Sequence, residues 1–233
     1  HIGGSVLDLY AVGKLSGLTE VLFIERCIRL LKPGGRLGIV LPEGVLNNTN
    51  LQTVRELFEG MAKIILITSI PQDVFMASGA TVKPSLLFFK KFTAEERAQF
   101  DAIKQAATEE VEAKYQSQLD EIDSFLAERG NPAEEKKVKR AERRALETKI
   151  AAEIWAIVKE KFDYTIPIAQ VEKAGITTTG AECENQLIDL LKEFTPYRKE
   201  HHMWTSNELR FHYEIVDNKV VRTDKDGKTK ELC

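Results

Sequence analysis

A helix that must stop and a strand that must start within a few residues set the frame for this sequence. Leu30-Leu31-Lys32-Pro33-Gly34-Gly35 closes an apolar-periodic stretch with a cation, a helix breaker and two glycines. Arg36 to Leu41 (RLGIVL) follows as a short apolar run bounded by turn residues, which is the pattern of a buried strand. Leu51 to Met61 reads as a second helix, Lys63 to Ile70 as a strand ended by Pro71, and Pro84 to Phe92 as a third strand. A strand-helix-strand unit of this length needs a parallel crossover, hence an α/β sheet. The third strand follows a stretch with no obvious helix and is expected in the same sheet, antiparallel to the other two. Ahead of them, Thr19 is expected to cap a helix whose buried side carries Phe23, Cys27, Leu30 and Leu31.

Residues 93–163 differ from that pattern. They hold almost no Gly or Pro outside Gly130-Asn131-Pro132. Val111, Tyr115, Leu119, Ile122 and Leu126 repeat by threes and fours, as do Val138, Ala141, Ala145, Ile150, Ile154 and Ile157. The spacing predicts two long helices folded back at the Gly-Asn-Pro turn, an antiparallel hairpin. Residues 164–233 return to mixed signals. A strand is expected within Tyr164–Val171, a turn-rich loop over Gly175–Gly180, a helix over Asn185–Tyr197, and a hairpin over Phe211–Val221 turning at Asp217-Asn218. Three segments are therefore expected: 1–92, 93–163 and 164–233.

Composition narrows the function classes. With 43% hydrophobic and 30% charged residues in 233, the chain supports a core and is not wholly disordered. No apolar run has the ~18–20 residues that span a bilayer, so no membrane partner is expected. His1-Ile2-Gly3-Gly4-Ser5 does not resemble a secretory signal. Cys27, Cys183 and Cys233 are sparse and odd in number, which argues against a disulfide scaffold and for a reducing, cytoplasmic compartment. Residues 1–92 carry ten Lys+Arg against seven Asp+Glu and the remainder 23 against 29, so a basic patch can hide in a net charge of −3.

Several absences matter. No GxGxxG, GxxxxGK[ST], GxSxG or HExxH occurs, and no Cys/His cluster suggests a metal. His201-His202 diverge on a helix and read as surface; Thr177-Thr178-Thr179 reads as a polar loop.

One ordered series remains. Leu30-Leu31-Lys32-Pro33-Gly34-Gly35 before a strand is followed by Leu41-Pro42-Glu43-Gly44-Val45-Leu46-Asn47-Asn48 and Val54-Arg55-Glu56-Leu57. Then come Ile64 to Pro71, Val74-Phe75, Ser78 to Lys83 and Leu86 to Lys90. Over residues 19–92 this resembles the second half of the N6-adenine DNA methylase domain, nearest to the modification (methylation) subunit of type I restriction-modification systems. Ile168 to Gly175 through Asn185-Gln186-Leu187 looks, more loosely, like the segment after that domain.

The resemblance implies the C-terminal half of a Rossmann-like S-adenosylmethionine-dependent methyltransferase sheet, followed by the helical hairpin and a small mixed α/β tail. It implies methyl transfer from S-adenosylmethionine to a flipped adenine in DNA, with a specificity subunit and a restriction subunit as partners. The family's glycine-containing cofactor turn and its catalytic Asn-Pro-Pro-aromatic loop are absent, so the fragment alone is expected to be inactive and to bind the cofactor weakly. The other class of reading is a non-catalytic helical interaction module on a remnant α/β scaffold.

What the resemblance implies for single residues is limited to matching positions. Phe75 takes the place of an aromatic that stacks on the extruded base; a loop Phe anchored in the core is the ordinary alternative. Phe23 matches an apolar lining of the cofactor's adenine pocket. Pro42, Glu43 and Gly44 follow the carboxyl end of a strand, where open α/β sheets bind ligands; Glu43 otherwise caps a helix starting near Asn47–Thr49. Lys83, Asn47 and Asn48 are candidate phosphate contacts. The run Lys136 to Arg144 could follow a DNA backbone, but Glu134, Glu135, Glu142 and Glu147 interleave with its cations and favour a solvated helix face.

Overall fold

The computed structural model describes residues 4–203, 211–216, 219–224 and 227–232. The chain divides into two compact units, His1–Ser69 with Val82–Gln170, and Ile70–Thr81 with Val171–Cys233. These units cut across the three expected segments. The apolar residues that begin the hairpin pack onto the end of the sheet, so the two form one body.

The first unit opens with a short helix α1 (Gly4–Leu7), a 3-10 turn (Val12–Lys14) and helix α2 (Thr19–Leu30). Strand β1 (Arg36–Pro42), helices α3 (Gly44–Asn47) and α4 (Gln52–Glu59), and strands β2 (Ala62–Ser69) and β3 (Pro84–Lys91) follow. The sheet order is β1-β3-β2-β4, where β4 is Ile168–Gln170. Strand β3 lies between β1 and β2 and is antiparallel to both, as the missing crossover helix predicts. Strands β1 and β2 therefore run the same way without touching, and β4 pairs parallel with β2. Both β1 and β4 are sheet edges among the described residues.

One face of the sheet holds the main core: Leu41, Leu87 and Phe89 meet Val21, Leu22, Ile24 and Ile28 of α2 and Val54 and Phe58 of α4. The other face is open at β1, where Val40 is 48% exposed and the Phe88 ring lies over Gly38. A Cβ at Gly38 would come within 2.8 Å of that ring, so the glycine is what lets the aromatic settle there.

Helix α2 corrects the expected register. Its buried residues are Val21, Leu22, Ile24, Glu25 and Ile28, whereas Phe23 is 60% and Leu30 70% exposed. The core stripe contains a carboxylate, which hid it from an apolar count. Glu25 is fully buried and accepts hydrogen bonds from the backbone N–H of Ala11 (3.0 Å) and Val12 (2.8 Å), and it pairs with Arg29. It thus ties the 3-10 turn to α2. Thr19 is the first helical residue, not the cap: Leu18 holds that position without a side-chain bond. At the other end, Lys91 Nζ donates to the carbonyls of Arg29 (3.2 Å) and Leu31 (2.8 Å), which satisfies the last turn. Gly34 then reverses the chain at φ 74°.

Helices α5 (Ala94–Ala127) and α6 (Ala133–Lys161) form the expected hairpin around the Gly-Asn-Pro turn. The start of α5 is fixed by a capping box, in which Thr93 Oγ1 accepts from the Glu96 N–H and the Glu96 carboxylate from the Thr93 N–H. Asn131 closes the turn by donating to the Phe125 carbonyl at 2.8 Å. The pairs Lys114–Glu153 and Asp123–Arg143 fix the helices as antiparallel. At the base, Phe92, Phe100, Val158 and Phe162 pack together, with ring centroids of 5.3–5.4 Å among the three phenylalanines. Further out, Val111, Tyr115 and Ile150 form the seam, joined by Leu119, Leu146, Ile154 and Ile157. Val138, Ala141 and Ala145 are not in that seam; they are exposed, Val138 by 59%. The α6 sequence carries two apolar stripes, and only the one ending in larger side chains is buried.

The second unit contains a 3-10 segment (Gln72–Ser78), β5 (Ala174–Ile176), β6 (Glu182–Asn185), α7 (Gln186–Glu200) and a sheet of β7 (Phe211–Val216), β8 (Lys219–Asp224) and β9 (Thr229–Leu232). The turn-rich loop expected at 175–180 is in part the antiparallel hairpin β5–β6. Its strands are short, three residues in β5 and four in β6, and the ion pair Lys173–Glu184 (2.9 Å) spans it. Asn185 caps α7 by accepting from the Leu187 N–H at 3.2 Å. Strands β7 and β8 pair antiparallel as expected; the turn residues Asp217 and Asn218 lie outside the described residues.

Candidate functional site

The ligand edge of an open α/β sheet lies at the carboxyl ends of its parallel strands. In the first unit that edge is made by Leu41 and Pro42 ending β1, Thr68 and Ser69 ending β2, and Pro84 and Ser85 beginning β3. Thr68 and Ser85 are buried there, and Thr68 Oγ1 has no hydrogen-bond partner among the described residues.

Immediately beyond β1 the chain turns through Glu43 and Gly44 into α3. The Glu43 N–H donates to the Lys83 carbonyl at 2.9 Å, and Lys83 Nζ meets the Glu43 carboxylate at 3.2 Å. This brings together a candidate cofactor residue and a candidate phosphate contact. Both are partly exposed, so the pair adds little stability and is free to exchange partners. A Cβ on Gly44 would meet nothing within 4 Å, so the turn borders open space. Glu43 stands at the N-cap position of α3 but makes no side-chain cap. The cap of the following turn (Thr49–Leu51) is Asn48, whose Oδ1 accepts from the Asn50 N–H at 2.9 Å. The Asn48 carbonyl also accepts from Arg55 Nη1 at 2.7 Å. Its side chain is therefore committed to the backbone, while Asn47 is exposed at the end of α3.

Phe23 lies on the exposed side of α2, so it is not the core residue its spacing suggests. Phe75 belongs to the second unit, in the 3-10 segment Gln72–Ser78, which has no buried residue. Its ring is half-buried, and its carbonyl accepts from Ser78 Oγ at 2.8 Å and the Ala80 N–H at 3.0 Å. Gly79 ends the segment at φ 87°. His201 and His202 are both exposed, with the His201 ring 4.1 Å from that of Tyr197.

Sequence reasoning missed a cavity of about 230 Å³ at the base of the hairpin. Phe100, Trp155, Phe162 and Tyr164 line it, with Glu59 and Lys159 at its rim. Burial pushes the Tyr164 hydroxyl up to about 12, and its oxygen accepts from the Ile64 N–H at 3.1 Å. The aromatic spacing was visible in the sequence; the meeting of residues from α4, α5, α6 and the segment after α6 was not.

Taken together, the residues at the β1 edge supply a backbone turn, an open space and one exchangeable ion pair. Among the described residues no helix is long and apolar enough to cross a membrane.

No curated protein matches the chain. One similar solved structure is that of a protein described as a class I S-adenosylmethionine-dependent methyltransferase from Listeria monocytogenes. It is 23% identical, with a TM-score of 0.36, and the match covers 40% of this chain and 29% of that one. This chain therefore spans under a third of that protein's length. The family model described as N-6 DNA Methylase matches residues 16–143, from the approach to α2 through all of α5 and into α6. That is more than half of the chain, and on it the protein belongs to the N-6 DNA methylase family.

Proposed function

We propose that this chain is the C-terminal part of a site-specific adenine-N6 DNA methyltransferase, the modification subunit of a type I restriction-modification system. The observation that carries the reading is the family match over 16–143. It is supported by a sheet whose β1 edge is unpaired among the described residues and whose neighbouring face exposes Val40. Such an edge suits a sheet continued by further strands, as in a Rossmann-like domain. The continuing strands would bring the glycine turn for S-adenosylmethionine and the Asn-Pro-Pro-aromatic loop for the adenine amino group. In this reading the intact enzyme works in the cytoplasm on DNA with a specificity subunit and a restriction subunit. Phe23 and the Pro42–Gly44 turn border the cofactor. Phe75 supports the extruded base, with Lys83, Asn47 and Asn48 near its phosphates.

Two experiments test this. Coexpressing the chain with the polypeptide encoded immediately upstream should yield N6-methyladenine in host DNA by mass spectrometry, while the chain alone should yield none. An upstream sequence with no Asn-Pro-Pro-aromatic loop sinks the reading. For the base contact, Phe75→Ala in the intact enzyme should weaken extrusion by ~1–3 kcal/mol, the worth of one aromatic stack. The readout is 2-aminopurine fluorescence at the target base. A normal flipping signal with a large fall in melting temperature would assign Phe75 to packing instead.

A further inference from the structure

The basic run on α6 separates into two faces. Lys136, Lys139 and Arg143 turn toward α5. Lys136 donates to the Glu128 carbonyl, Lys139 pairs with Glu142 at 2.7 Å, and Arg143 binds Asp123 at 2.7 Å and also Glu147. Helix α5 carries nine Asp+Glu against three Lys+Arg, and α6 nine Lys+Arg against six Asp+Glu; of the acids that pair with the inner cations, Asp123 lies on α5 while Glu142 and Glu147 lie on α6 itself. Lys137, Arg140 and Arg144 have the same spacing one residue later, about 100° further round the helix. All three are exposed, and none makes an ion pair, side-chain hydrogen bond or ring contact with a described residue. The acids expected to neutralise them, Glu142 and Glu147, are drawn to the inner set. Glu134 and Glu135 sit back in the first turn.

We propose that the outer face of α6 bearing Lys137, Arg140 and Arg144 lies along the phosphate backbone of duplex DNA. Positions i, i+3 and i+7 share one face and span about 10 Å of helix. A DNA strand rises about 3.4 Å per phosphate along the duplex axis while winding around it, so neighbouring phosphates stand further apart than that rise, and the long Lys and Arg side chains supply the reach for each cation to meet its own phosphate. Ala141 and Ala145 between the cations are small and exposed, so nothing holds the helix away from a backbone. The face has no aromatic and one large apolar residue, Val138, so it lacks the anchors that dominate protein interfaces. The naming of DNA rests on the methyltransferase reading; the charge geometry does not.

The test is anisotropy of a labelled non-specific duplex titrated with the 233-residue chain across a salt series. Each phosphate contact adds about 0.9 to the slope of log affinity against log salt, so K137Q/R140Q/R144Q should lower the slope by about 2.7. Equivalently, a fourfold rise in salt should cost the unsubstituted chain about 40-fold more affinity than the variant. The control K14Q/K104Q/K161Q removes the same charge from exposed sites elsewhere and should change the slope by less than one unit. Circular dichroism checks that both variants keep their helices. Equal losses in the two variants, no binding by the unsubstituted chain at low salt, or tighter binding of labelled poly-glutamate than of duplex each overturns the proposal. No methyl transfer enters this assay, so its failure leaves the coexpression result untouched, and a failed coexpression leaves the slope intact.

Discussion

Replacing Glu25 tests whether a buried acceptor, rather than apolar volume, joins α2 to the preceding turn. The carboxylate is fully buried and takes two backbone N–H bonds, one from the buried Val12 amide at 2.8 Å and one from Ala11 at 3.0 Å. Hydrogen bonds to a charged group contribute ~1.5–3 kcal/mol each, and an orphaned buried donor costs ~1–3 kcal/mol. Arg29 is about half exposed and regains water when its partner goes, so it adds little. Glu25→Ala should therefore cost about 3–5 kcal/mol, close to the worth of two hydrogen bonds to a charged group. Glu25→Gln keeps the shape but turns one acceptor into a donor aimed at a backbone N–H, so it should cost nearly as much. Urea unfolding gives the free energies, and hydrogen exchange at the Val12 amide reports the local opening. If Gln costs under about 1 kcal/mol while Ala costs about 3–5, the site is held by packing and the hydrogen-bond argument is wrong.

Other expectations follow from the hairpin and its base. Ile150→Ala should cost ~2–5 kcal/mol, and Val138→Lys should stay within about 0.5 kcal/mol; the reverse order would mean the seam lies on the other stripe. Burial raises the Glu96 carboxyl, but the Thr93 N–H and then Lys63 and Lys90 outweigh it and hold the group below its ordinary 4.5. That stabilisation is present at neutral pH and fades as pH falls below that value through the group's folded titration. Stability of Glu96→Gln should accordingly depend less on acid than the parent's does. Tyr164 titrates at about 12 when folded against 10.0 when free, so the chain should lose stability as pH rises from 10 toward 12. Tyr164→Phe should abolish that alkaline loss, measured by urea midpoints; an unchanged loss would place its origin elsewhere.

What the sequence made legible is local. The strands β1, β2 and β3 are bounded by Pro33-Gly34-Gly35, Pro71 and Pro84, and the missing helix between β2 and β3 forecast the antiparallel return. The register of α2 was illegible because Glu25 occupies a core position. Its partners, the amides of Ala11 and Val12, lie more than three helical turns upstream. On α6 the two apolar stripes look alike in sequence, and only the one with Leu146, Ile150, Ile154 and Ile157 packs into the seam with Val111 and Tyr115 of α5. The hairpin β5–β6 is too short for apolar alternation to announce it, since its strands are only Ala174–Ile176 and Glu182–Asn185. At the candidate site, Pro42–Gly44 could be placed at a strand end. The Glu43–Lys83 contact needed β1 and β3 to be neighbours, which no residue near either one states.

The sheet order also sets a timetable for synthesis. Strand β3 is the partner of both β1 and β2, so neither can pair until residue 91 has left the ribosome. Until then two apolar stretches, Arg36–Pro42 and Ala62–Ser69, wait as unsatisfied backbone. The second combines Ile64, Ile65, Leu66 and Ile67 in one run, the composition of an aggregation-prone segment. Lys63 before that run and Pro71 after it act as gatekeepers, and Lys90 and Lys91 do the same at the end of β3. Slow translation between residues 69 and 91 should therefore lower soluble yield, and faster codons across that window should raise it.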